Sequence, residues 1–219
     1  MSTRKDFIAA SSLFALAPAV AQAASPAASP SPSESSLRLN FDKARFNRML
    51  ARPAIHKQCF GATKIASGSV LDGMNNTINA YVEYFGETPA SVHTAAVLYH
   101  GTAIALAMND SVWNEILLPL AKSAPPKIRD EYAGAKPGKG NPYLKDVQNA
   151  VARGSSFFVC HNAILGFSHM AAGALKKPVE KLHAAIMAGI VPGALAVPAG
   201  VMAINACQEA KFTYIQASL

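Results

Sequence analysis

The sequence predicts an α/β domain: a Rossmann-like three-layer sandwich with a mainly parallel sheet of about five strands. Short apolar runs alternate along the chain with longer segments of helical periodicity, the order that sets parallel strands between covering helices. The 219 residues, 51% hydrophobic and 15% charged, supply one sizeable core. No repeat of 20 to 50 residues is present, which sets solenoids and propellers aside.

Residues 1–23 have the anatomy of an export signal. Arg4 and Lys5 precede an apolar stretch from Phe7 to Val20, and Ala21-Gln22-Ala23 supplies small residues for cleavage. Thr3-Arg4-Lys5-Asp6-Phe7-Ile8 is similar to a twin-arginine motif with Lys5 in the second arginine's place, so the route, Tat or Sec, stays open. The expected location is periplasmic or otherwise exported. No other apolar run reaches the ~20 residues that span a bilayer, so no transmembrane span is expected in the mature protein. Residues 24–36, rich in Pro, Ser and Ala, read as a disordered linker.

A basic arm follows over residues 37–54, ahead of an α/β domain over 55–219. Arg38, Lys43, Arg45, Arg48, Arg52, Lys57 and Lys64 face only Asp42 between residues 37 and 64, and they hold the mature chain's whole positive excess. Such a run suits an acidic partner, but an exported protein seldom meets nucleic acid; a solvated face or a subunit contact is the expectation.

A short surface helix is predicted over residues 42–51, stopped by Pro53. The first strand is predicted over 56–60, with Cys59 inside it. A helix over 70–85 carries Leu71, Met74, Ile78 and Phe85 at helical spacing, with Ser69 as its cap and Gly86 at its end. The second strand, 92–99, leads into His100 and Gly101. The helical stretch beyond it is interrupted near Asn109-Asp110, and Pro119 is expected to limit it. Residues 122–140 hold three prolines, three glycines and five basic residues, which reads as a lid or a solvated excursion. Pro142 opens a helix that ends at Gly154. The strand 156–160 follows at once, then helices over 161–175 and from Pro178 to Gly189, a strand over 194–197, a helix to about Lys211, and a last strand over 212–216.

The chemistry is expected where the strand 156–160 ends in Cys160, His161 and Asn162. Ligands of open α/β sheets bind outside the carboxyl ends of the strands, and the helix beginning there favours a thiolate through its unpaired N–H groups and dipole. Cys160 is the candidate nucleophile, the alternative being a buried cysteine that fills space, since free cysteine is among the most buried residue types. His100 also falls just beyond a strand end. Cys59 and Cys207 read as core, and three cysteines are too few and too odd in number for a disulfide scaffold. Dinucleotide and P-loop fingerprints, a G-x-S-x-G elbow and an H-E-x-x-H helix are all missing, and no cofactor is expected.

Ser156-Phe157-Phe158-Val159-Cys160-His161-Asn162-Ala163-Ile164 and the stretch from Val191 to Gln216 resemble the DsrE/DsrF-like sulfur-relay family, in particular its exported branch. Ala96-Val97-Leu98-Tyr99-His100-Gly101 adds to the match, which covers roughly residues 55–218. The resemblance implies a Rossmann-like fold, homo-oligomers, and a cysteine that carries sulfane sulfur as a persulfide; Cys160 is the one that matches its place. A sulfur donor or acceptor protein, or a small thiol, would be the partner. His161 or His100 would then stabilise the anion or handle a proton, and Asn162 would hydrogen-bond it. Two other readings accompany this one: a non-catalytic oligomeric module with a small-ligand pocket at the strand ends, and a metal site of Cys160, His161, His100 and His169.

Overall fold

The computed structural model describes residues 37–217. The expected export signal and linker lie outside them. Five strands form one all-parallel sheet: β1 (His56–Ala62), β2 (Val92–Leu98), β3 (Ser156–Cys160), β4 (Ala194–Val197) and β5 (Thr213–Gln216), in the spatial order β4-β3-β2-β1-β5. Every side chain of β2, β3 and β4 is buried, as expected for parallel strands covered on both faces.

The order of the strands dictates the layers. From β1 to β4 the chain steps always in one direction across the sheet, and right-handed crossovers therefore put all the intervening helices on one face. The longer of these are α2 (Ser69–Phe85), α3 (Leu118–Ser123), α4 (Leu144–Ala152), α5 (His161–Leu175) and α6 (Val179–Ala188). The step from β4 to β5 runs back the other way, which sends α7 (Gly200–Glu209) to the opposite face. Beside α7 lies α1 (Lys43–Leu50), the helix of the basic arm.

Two cores result. The larger joins Met74 of α2, Val147 of α4, Ile164 of α5 and Ile186 of α6 to Phe157 and Val159. The smaller joins Phe46 and Leu50 of α1 and Ala203 and Cys207 of α7 to Cys59, Val97 and Phe158. The arm thus packs into the fold rather than lying on it. Asp42 caps α1 by accepting a 2.7 Å hydrogen bond from the Arg45 amide, and the Phe46 ring meets Phe158 edge-on at 5.0 Å.

Three local expectations are corrected. Ser69 does not cap α2: Gly68 takes that position with a φ of 85°, and the Ser69 hydroxyl donates to the Ala217 carbonyl at 2.9 Å. Pro119 does not end its helix. A π-helical turn over Trp113–Leu117 restarts the ladder, so the proline falls in the first turn of α3, where its missing N–H costs nothing. Residues 122–140 are exposed over most of their length but are not a plain loop: they hold helical turns over Pro126–Arg129 and Asp130–Tyr132, Tyr132 is buried edge-on against Trp113, and Glu131 accepts from the Ala66 amide at 2.8 Å. Among the described residues no helix is long and apolar enough to cross a membrane.

Candidate functional site

The connection after β3 enters α5 on one face of the sheet, while the connection after the neighbouring β4 enters α7 on the other. Adjacent connections that part in this way open the crevice in which α/β folds hold their ligands. Cys160 stands at that point. It is the last residue of β3, pairs in register with Val197 of β4, and is the residue from which α5 departs. Its own side chain makes no capping hydrogen bond to the helix, and 4% of its surface is exposed.

Tyr99 and Gly200 shape the neighbourhood. A Cβ on Gly200, the first residue of α7, would overlap the Tyr99 side chain, so glycine is what lets α7 start directly over the end of β2. His100 is exposed one strand away from Cys160, since Leu98 of β2 is in register with Val159. Gly101 follows with a φ of 51°; a Cβ there would lie 2.7 Å from the Thr63 carbonyl. Asn162 is exposed in the first turn of α5.

His161 has a different neighbour from the one its position suggests. Its ring is buried against α6, with Nε2 3.0 Å from Nε2 of His183 and the rings nearly perpendicular at 84°. One ring must donate and the other accept, so the accepting imidazole is neutral and the pair cannot hold two protonated rings. Burial lowers both pKa values; a charge on His183 would lower that of His161 further, and the Leu37 carbonyl partly opposes this. His183 was not singled out from sequence, although a histidine between Leu182 and Ile186 on the inward face of a helix is the available signal.

A cavity of about 380 Å³ is lined by Leu37, Arg38, Leu39, His161, Leu165 and His169, without Cys160 or His100. The four residues of the metal reading are therefore not gathered. Among the described residues no group of three or more His, Cys, Asp or Glu could hold a metal ion.

Cys59 and Cys207 meet in the smaller core, fully buried. A hydrogen bond to Cys207, then burial, pushes the Cys59 thiol far up from its ordinary value. Iodoacetamide is expected to leave both unlabelled in the native protein and to label them after denaturation. Native labelling of either, read by peptide mass, would show that this core opens.

No protein-family model matches this sequence, and no curated protein matches it. Among solved structures, the chain is similar to MTH1491, a protein of unknown function from Methanobacterium thermoautotrophicum. The two share 16% identity, and the similarity covers 74% of this chain and 98% of that one, with a TM-score of 0.43. It is a similarity of chain path.

Proposed function

We propose that this protein is an exported, DsrE/DsrF-like sulfur carrier that holds sulfane sulfur as a persulfide on Cys160. The observation that carries the reading is the position of Cys160, where the connections from β3 and β4 part to opposite faces and a 15-residue helix begins. The start of α5 turns its free amides and positive dipole end toward that end of the sheet, where an anionic sulfur or its donor would dock. The sequence resemblance around Cys160 supports the same reading.

The transfer requires no net oxidation. The Cys160 thiolate attacks the outer sulfur of a donor persulfide; the donor's S–S bond breaks, and the donor leaves as a thiolate with that electron pair. Cys160 then bears S–S⁻. An acceptor thiolate attacks the terminal sulfur, the bond to Cys160 breaks, and the Cys160 thiolate is restored. His100 and Asn162, both exposed at this end of the sheet, are the groups available to the anion. His161 acts at most through the helix it begins, because its Nε2 is engaged by His183. Export to the periplasm and assembly into homo-oligomers complete the proposal.

The intact mass of the purified mature chain after incubation with polysulfide tests it. A gain of one sulfur, removed by dithiothreitol and absent in Cys160→Ser, is the expected result. No gain overturns the carrier reading. The 4% exposure of Cys160 then favours a non-catalytic module that binds a small ligand at the strand ends.

A further inference from the structure

At the other end of the strands, the basic arm builds a cluster that the sulfur chemistry does not use. Arg45, Arg48 and Arg52 follow one another at helical spacing along α1 and just beyond it, and all three line a cavity of about 400 Å³. The opposite wall is the chain entering β3 and β4: Gly154, Ser155, Ser156 and Gly193. Cavities of this size suit small molecules.

Two of the guanidinium groups are fixed in place by the fold. Arg45 donates from Nη2 to the Ala194 carbonyl at 3.1 Å, and Arg52 donates from Nη2 to the Val92 carbonyl at 2.7 Å. Each anchor uses one of the five N–H donors that a guanidinium presents, so most of the fork remains for a ligand. The Arg52 Nε–H is buried with no hydrogen-bond partner among the described residues. Arg48 is exposed and makes no hydrogen bond there.

The charge of the cluster is not neutralised from within. Among the described residues none of the three arginines pairs with a carboxylate, and the one acidic residue of α1's first turn region, Asp42, is spent on the helix cap. Three like charges along one wall repel one another, and an anion between them removes that repulsion while taking several charge-assisted hydrogen bonds. Gly154 keeps room for this arrangement. Its φ is 89°, and a Cβ there would lie 2.7 Å from Nη1 of Arg52.

We propose that Arg45, Arg48 and Arg52, facing Ser155 at the amino ends of β3 and β4, bind a small tetrahedral oxyanion of the phosphate class. Planar forks pair bidentately with phosphate oxygens, which is why arginine rather than lysine suits the site. The anion would tie α1 to the strand entries, so binding should stabilise the whole fold by mass action. The ligand is either the free ion or the phosphate group of a small monoester. The site lies a strand's length from Cys160, so its success or failure is independent of the sulfur-carrier reading.

Thermal unfolding of the full mature chain tests it, with sodium phosphate, glycerol 2-phosphate and, at matched ionic strength, sodium chloride. The expected result is a saturable rise in Tm with phosphate that chloride does not reproduce. Arg48 has no structural bond to lose, so Arg48→Ala should keep its Tm in chloride and weaken phosphate binding roughly tenfold, the loss of one charge-assisted contact. Cys160→Ser should respond like the parent. A stronger response to the ester assigns the site to a phosphorylated metabolite, and an equal one assigns it to the free ion. Equal Tm rises in phosphate and chloride, or an undiminished phosphate response in both Arg48→Ala and Arg45→Ala, would overturn the proposal and leave a solvated basic face.

Discussion

Replacing Phe158 by alanine is expected to lower the free energy of unfolding by about 3–5 kcal/mol. The ring is fully buried in the smaller of the two cores, wedged between the sheet and the side chains of α1 and α7, so its loss leaves a cavity. It is also the surface on which α1 sits, through the edge-on contact with Phe46. Two effects should appear together. The midpoint of urea unfolding should fall with little change in slope, and the amides of α1 should lose hydrogen-exchange protection before the rest of the fold. A loss under 1 kcal/mol would mean that the arm and α7 collapse inward without strain.

The strands were legible because their signals are local. The runs 156–160 and 194–197 coincide with β3 and β4, since each is apolar and is bounded by Gly or Pro within a few residues. The end of β3 at Cys160 was likewise readable, and with it the place of the candidate nucleophile. Spatial order was not. The sequence predicts strands alternating with helices, but only the step from β4 back past β1 to β5 determines that the connections part beside Cys160. The partners of His161 and Cys59 were hidden for the same reason: His183 and Cys207 reach them from other elements, and no spacing along the chain encodes that. The arm misled because its charges dominate the sequence around α1, while Phe46 and Leu50, four apart on the inner face, decide where it packs.

Acid should begin to destabilise the protein above the ordinary carboxylate range. His93 is fully buried, shares a 2.9 Å hydrogen bond with Ser156 Oγ, and lies edge-on to Phe212. Burial first, and then the positive charges of Arg52 and Lys57, push its pKa down to about 3. Below the unfolded value of about 6.5 the unfolded chain takes a proton that the native one refuses. Stability is therefore at its full value above about pH 6.5 and declines as pH falls toward 3. The loss amounts to about 2 kcal/mol by pH 5 and on the order of 4 kcal/mol by pH 3. His161 and His183, whose pKa values are also lowered, add in the same direction. His93→Gln keeps a donor for Ser156 but does not titrate, so urea titrations at pH 7 and pH 5 should differ by roughly 2 kcal/mol less than in the parent. An unchanged difference would show that His93 is already protonated in the fold.

Residue 58 lies beside residue 213, and the last strand hydrogen-bonds to the first. This contact closes a loop of about 155 residues between Gln58 and Thr213, so it should be among the slowest pairings of the sheet to form. Until it does, the outer rim of β1 stays unpaired and able to recruit stray extended peptide.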